Sequence, residues 1–216
     1  MIKFDNVTAT YKKNIGIFNI SFEVNPGELV FIMGPTGAGK STILKTIYKD
    51  IHIDSGRIFL NKREISNSSS NLSISNTRSE IGMIFQDFKL LNDRNVYDNV
   101  ALPLRISGVS NKDIKHMVRE SLNKVNMSNY ELSYPLELSG GEQQRIAIAR
   151  ALVNNPKIIL ADEPTGNLDP NISDEILDLL EVFTDNGSAV LMSTHNFPLI
   201  KPRNKKFIEL SKGRMV

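Results

Sequence analysis

Five apolar residues, Leu29-Val-Phe-Ile-Met33, run without a break into Gly34-Pro35-Thr36-Gly37-Ala38-Gly39-Lys40-Ser41-Thr42. An unbroken apolar run of that length reads as a strand buried on both faces. The spacing G-x-x-x-x-G-K-S is that of a phosphate-binding loop: its glycines let backbone N–H groups turn inward around phosphate oxygens. The segment from Ser41 to Lys49 has helix-forming composition, so the loop opens a helix whose positive end faces the same anion. Lys40 can then reach the β- and γ-phosphates, and the Ser41 hydroxyl can ligate Mg²⁺. A glycine-rich turn matching the spacing by chance would lack the strand before it and the helix after it. Strand, loop and helix in this order commit the chain to an α/β architecture.

The rest of the sequence repeats that alternation. Phe18, Ile20, Phe22 and Val24 alternate with polar residues, as in a half-buried strand, and Pro26-Gly27 turns the chain before Leu29. A further strand is expected over Arg57–Leu60. The stretch from Asn67 to Thr77, rich in Ser and Asn, reads as an exposed, mobile surface loop. Ile114, Met117, Val118, Leu122 and Val125 fall at spacings of three and four, which makes one apolar helix stripe and core packing rather than a cofactor surface. A helix is expected from about Gly140 to Val153, a buried strand over Lys157–Asp162, a helix beginning near Ile172 and a strand over Ser188–Ser193. Strands alternating with helices imply a mainly parallel sheet. The helical block from about 90 to 135 reads as a separate subdomain inserted into it. No internal repeat is visible.

The second chemical element is Ile158-Ile-Leu-Ala-Asp162-Glu163. An apolar strand that ends in an acid places that acid at the carboxyl edge of a parallel sheet, where α/β proteins bind ligands. Asp162 is the expected Mg²⁺ holder, and Glu163 is placed to polarise an attacking water. Alone, Asp-Glu at a strand end is common; beside a phosphate loop it points to hydrolysis. A third element, Ser139-x-x-Glu142, satisfies a capping box. Its helix start, with free N–H groups, a hydroxyl and the Gly140-Gly141 pair, also suits a phosphate, and both roles are open to Ser139.

Together these elements resemble the ATP-binding cassette (ABC) ATPases. Leu138-Ser139-Gly140-Gly141-Glu142-Gln-Gln-Arg145 is similar to the family's signature motif. Gln86 matches its Q-loop, Gly166-Asn-Leu-Asp169 its D-loop, and His195 its switch histidine. Tyr11 stands where the family stacks an aromatic ring on adenine, although a lone tyrosine near a strand end is ordinarily packing. The motifs come in the family's order and span nearly the whole chain. The resemblance implies one ABC-type P-loop NTPase domain over residues 1–216, with a mainly parallel core, an antiparallel N-terminal β-subdomain and the inserted helices. It implies ATP and Mg²⁺ as ligands, with Ser41, Gln86 and Asp162 around the metal. Glu163, His195 and Gln86 are then the catalytic group. It further implies a head-to-tail, ATP-dependent homodimer in which Ser139 to Glu142 complete the site of the other copy.

Within the family, Ile81–Asp87 and Leu90–Pro103, above all Asp93-Arg94 and Val96-Tyr97-Asp98-Asn99-Val100, resemble the cell-division branch. That implies a peripheral subunit on the cytoplasmic face of the bacterial inner membrane, at the division septum. It would be bound to an integral membrane subunit and would control cell-wall hydrolases outside the cell. Leu160–Asp169 is shared with lipoprotein-release and macrolide-export ATPases, so an exporter is the nearest rival. Two departures stand out: Asn196 follows the histidine where most relatives carry Asp, and the 67–77 segment is longer and more polar than expected.

Composition separates the remaining classes. With 26 basic against 24 acidic side chains there is no nucleic-acid footprint, and ABC ATPases acting on DNA or ribosomes usually add a coiled-coil insertion or a second cassette. A nucleotide switch without hydrolysis would lack Glu163. The absence of cysteine excludes disulfides and thiolate metal sites. Met1–Asp5 carries no apolar core of signal-peptide length, and no stretch reaches the roughly 18 apolar residues of a membrane span.

Overall fold

The computed structural model describes residues 1–12, 15–66, 71–166 and 168–216. β3 (Leu29–Met33) sits inside a six-stranded sheet ordered β10-β9-β3-β8-β7-β6. Its members are β6 (Ile81–Ile84), β7 (Ile158–Asp162), β8 (Ala189–Thr194), β9 (Lys206–Ser211) and β10 (Arg214–Met215). All neighbours pair in parallel except β9 and β10. The apolar runs explain this arrangement. Every residue of β6, β7 and β8 is buried, as befits strands covered on both faces. Successive residues of β3 serve opposite cores: Leu29 and Phe31 face one, Val30 and Ile32 the other.

The first core lies against α3 (Val96–Ile106), α4 (Asn111–Lys124), α5 (Gly140–Leu152) and α6 (Pro170–Asp185). Ile114, Val118, Leu122 and Val125 are buried in it and Met117 packs at its edge, as the helical spacing predicts. Asn99 is fully buried and fully used. Its amide donates to the carbonyls of Leu91, Arg94 and Asn95, and its oxygen accepts from Leu91 N. One side chain thus fixes the loop from 91 to 95 that sets this chain apart within its resemblance.

The second core lies between α1 (Lys40–Ile47) and a four-stranded antiparallel sheet, ordered β2-β1-β4-β5. This sheet comprises β1 (Ile2–Lys12), β2 (Ile15–Val24), β4 (Ser55–Leu60) and β5 (Arg63–Glu64). Among the described residues no helix is long and apolar enough to cross a membrane.

One expectation fails. The 67–77 stretch is no simple loop: its first four residues lie outside the described ones, and α2 (Asn71–Ser79) occupies the rest, with Thr77 buried. Its polar composition hides a helix that is held by tertiary contacts rather than by an apolar stripe. Arg78 donates to the carbonyls of Tyr48 (3.0 Å) and Lys49 (3.3 Å), pairs with Asp50, and lies 4.8 Å from the Tyr48 ring centre. Such contacts between distant residues override local propensity.

Register places the chemistry. Met33 is level with Thr194, and Asp162 with Ser193. The chain therefore leaves β3, β7 and β8 at one sheet edge, delivering Gly34, Glu163 and His195 to the same place.

Candidate nucleotide site

The glycine loop is held in conformations that only glycine adopts freely. Gly34 has φ of 146°, and a Cβ there would stand 2.3 Å from the carbonyl oxygen of Leu210 on β9. Gly39 has φ of 105° and opens α1 without any side-chain cap, so the first N–H groups of that helix face the loop. Lys40 is 4% exposed, and its ammonium donates to the carbonyls of Gly34 (2.8 Å) and Pro35 (3.2 Å). It also stands 3.3 Å from Glu163 Oε1.

Behind the loop, α1, β7 and β8 contribute to one cluster of oxygens. Asp162 Oδ1 accepts from Ser41 Oγ at 2.9 Å and from Ser193 Oγ at 2.7 Å. The Ser193 hydroxyl in turn accepts from Glu163 N at 3.0 Å, and the Ser193 carbonyl accepts from the same N–H at 3.2 Å. This grip holds Glu163 in the left-handed region, with φ of 43°. A continuing strand would send Glu163 to the opposite face from Asp162; the left-handed turn brings its carboxylate to the loop instead. Strain of this kind costs on the order of 1–3 kcal/mol and is characteristic of functional sites. The second carboxylate oxygen, Oε2, is 2.9 Å from His195 Nδ1. Glu163 therefore bridges the loop lysine and His195.

These groups open onto a cleft of about 800 Å³. Tyr11, Thr36, Ser41, Gln86, Glu163 and His195 line it, and Tyr11 stands 56% exposed. The oxygen donors fit Mg²⁺, which takes a hydroxyl, a carboxylate or an amide oxygen and fills its remaining positions with phosphate and water. No group of three acidic, histidine or cysteine side chains arranged for a metal exists among the described residues.

Ser139 to Glu142 and Asp169 do not line this cleft. Ser139 caps α5 as the capping-box spacing predicts. Its N–H and hydroxyl donate to Glu142 Oε2 at 2.8 and 2.7 Å, and these bonds hold the Glu142 carboxyl below its ordinary pKa range. Ser139 and Gly140 are exposed, whereas Gly141 is buried, with room for no Cβ: one would stand 2.9 Å from Ile172 Cδ1. Asp169 caps α6, accepting from Asn171 N and Ile172 N. Asn167, inside the expected D-loop, lies outside the described residues. Asn196 accepts from Leu199 N and starts the short helix α7 (Phe197–Ile200), so the residue that departs from the family pattern has a capping role. His52 and His116 are exposed and lie outside the cleft.

Sequence reasoning passed over Ser193, whose hydroxyl donates to the Asp162 carboxylate and accepts from the Glu163 backbone N–H. The signal was a small polar residue ending an apolar strand, but its partner is fixed only by the register of β7 against β8. It also missed Lys45, Asp50 and Gly16, which join the cleft wall from α1, the turn after it and β2.

The profile of the ABC transporter family matches residues 17–166. The cell division ATP-binding protein FtsE of Escherichia coli K12 is 45% identical over 216 residues, covering 100% of this chain and 97% of that protein. FtsE of Bacillus subtilis is 41% identical over 217 residues, covering 100% and 95%. Among solved structures, the dimeric MJ0796, a bacterial ABC transporter cassette, superposes with a TM-score of 0.89 at 35% identity, covering 100% of this chain and 96% of the other. A dimeric post-hydrolysis state of MJ0796, bound to ADP and Pi, matches with a TM-score of 0.89 at 34% identity over the same shares.

Proposed function

The chain belongs to the ABC transporter family, and from that premise we propose that it is the ATPase subunit of a cell-division complex of the FtsE type, working with an integral membrane subunit of the FtsX kind. It is an ATP-binding-cassette ATPase. The observation that carries the mechanism is the Glu163 carboxylate, bridged between Lys40 Nζ and His195 Nδ1 at the mouth of the cleft.

Lys40 and the backbone N–H groups of Gly34 and of Thr36 to Thr42 bind the ATP phosphates, with Pro35 shaping the loop without a donor of its own, and Tyr11 stacks on the base. Glu163 accepts a proton from the attacking water as general base. His195 orients that carboxylate and contacts the γ-phosphate. Ser41, Asp162 and Gln86 would hold Mg²⁺, which supplies charge neutralisation at the β- and γ-phosphate oxygens when bound. Ser139 to Glu142 of a second copy complete the shell around the γ-phosphate in a head-to-tail homodimer, with Asp169 at the interface. The whole chain acts as one ATPase domain, with the 90–135 helices as its inserted unit. Its place is the cytoplasmic face of the bacterial inner membrane, at the division site.

Full-length identity to FtsE proteins supports the cell-division reading over the exporter reading. Affinity capture of this chain from native membranes, with the bound membrane subunit identified, tests it. Recovery of a cell-division membrane subunit is the expected result. Recovery of a lipoprotein-release or macrolide-export permease instead overturns it.

The metal assignment has its own test. Asp162→Asn keeps an acceptor for Ser41 and Ser193 but removes the charge. Turnover should fall by about a hundredfold or more. ATP binding measured in EDTA should stay near that of the unchanged chain. Mg²⁺-dependent turnover that survives the substitution contradicts the role given to Asp162.

A further inference from the structure

The turn that follows Gln86 carries two consecutive left-handed residues, Phe88 (φ 57°) and Lys89 (φ 51°), neither of them glycine. A turn of this kind persists only where its surroundings hold it. Within the turn, Phe88 N donates to the Phe85 carbonyl, Lys89 N to the Asp87 carbonyl, and the Lys89 ammonium pairs with Asp87; one side chain ties the turn to α5. Arg150, in the last turn of α5, donates through Nη2 to the Phe88 carbonyl at 2.6 Å and through Nη1 to the Lys89 carbonyl. A guanidinium is suited to this, because its planar fork serves two acceptors at once. The same helix closes on the turn from two other directions. A Cβ at Gly82, on the strand leading to Gln86, would stand 2.6 Å from the Ala151 carbonyl oxygen, so β6 is pressed against α5 beside Arg150. At the other end of α5, a Cβ on Gly140 would meet the Phe88 ring at 3.9 Å.

We infer that Arg150 is a positioning residue that fastens the Gln86 turn to α5, so that Gln86 and the Ser139–Gly141 end of that helix move as one body. The inference rests on the proposed roles of Gln86 and Ser139. Through it, a shift of Gln86 at one ATP site is carried along α5 to the helix end that completes the other site. Arg150 itself lies outside the nucleotide cleft. Its loss should therefore slow turnover without weakening the capture of ATP.

A double-substitution cycle on the full chain reads this directly, with kcat and KM for ATP, binding of a fluorescent ATP analogue, and thermal melting measured on each variant. Arg150→Gln should lower kcat by about tenfold, since small misplacements of a site carry costs of that order. ATP-analogue binding should stay within about twofold, because no cleft contact is removed. Arg150→Lys should recover part of the loss, since one ammonium serves two divergent carbonyls less well than a fork. In a Gln86→Ala background, Arg150→Gln should cost little more, as expected for two residues acting through one step.

An unchanged kcat in both Arg150 variants overturns the inference. So does a loss that multiplies with that of Gln86→Ala, or one matched by weaker ATP binding and a lower melting temperature, which would mark a merely structural role. If Gln86→Ala itself turns over normally, the reading of Gln86 falls and the inference with it. If only Gln86→Ala is impaired, the inference alone falls. Should Arg150→Gln yield too little folded protein, Arg150→Lys is carried through the same cycle.

Discussion

Glu163→Gln is expected to bind ATP, to hydrolyse almost none of it, and to accumulate as a dimer when ATP is present. The substitution keeps the size of the side chain. An amide oxygen can still accept from the Lys40 ammonium, which stands 3.3 Å from the carboxylate, and the amide can still meet His195 Nδ1 at 2.9 Å. The backbone of residue 163 is fixed by Ser193 rather than by its own side chain, so the left-handed turn should survive. What disappears is the capacity to take a proton from water. Loss of a general base costs about 10²- to 10⁴-fold in rate. Phosphate release measures it, a filter or fluorescence assay confirms ATP binding, and gel filtration with and without ATP reports the dimer. The dimer follows from mass action: ATP that is bound and never consumed keeps the closed form populated. Phosphate release at the rate of the unchanged chain would remove Glu163 from the base role and leave it as a partner for Lys40 only.

The parts of this site that were legible in the sequence are those specified locally. Gly34 to Ser41 advertises itself because backbone shape and ligand contact are set by adjacent residues. Ser139-x-x-Glu142 does so because capping spans one helical turn, and the structure shows both of its reciprocal bonds. Asp162 was legible because an apolar run ends there. Ser193 was not, since its partner is set by pairing between strands 31 residues apart in the chain. Nor was the left-handed backbone of Glu163, which no residue type signals. α2 was hidden for the same reason: Ser and Asn point to a loop, while Arg78 secures the helix through Tyr48, Lys49 and Asp50, which are remote in sequence. β9 was passed over because charged residues interrupt it, with only Ile208 and Leu210 buried. Yet β9 supplies the carbonyl that crowds Gly34, and so shapes the loop that the sequence displayed most openly.

Mixing two inactive variants should restore activity that neither has alone. Lys40→Ala removes the buried ammonium that sits among the Gly34 and Pro35 carbonyls, and with it the proposed cationic contact to phosphate. Gly140→Asp acts at the other half of the proposed composite site. Gly140 is exposed, a Cβ there meets nothing nearer than the Phe88 ring at 3.9 Å, and an acid is favourable in the first turn of a helix. The variant should therefore fold normally and place a negative charge against the γ-phosphate of the partner's ATP. Each homodimer then carries two broken sites, one through its loop and the other through its helix end. In a mixed dimer both lesions fall in the same site, and the second site is made of an unaltered loop and an unaltered Ser139–Glu142 segment. If subunits mix freely before ATP is added, half of the dimers are mixed and each has one working site. Turnover should then return to roughly a quarter of that of the unchanged chain by two-fold symmetry. Strict coupling between the sites would lower that figure, but any rise above the summed rates of the two variants requires a site shared between chains. A mixture no faster than its parts would mean that each chain completes its own site, or that a single broken site silences the dimer. Titrating unaltered chain against either variant separates the two. With self-contained sites the rate follows the amount of unaltered chain linearly, whereas a silencing subunit makes it fall with the square of that fraction.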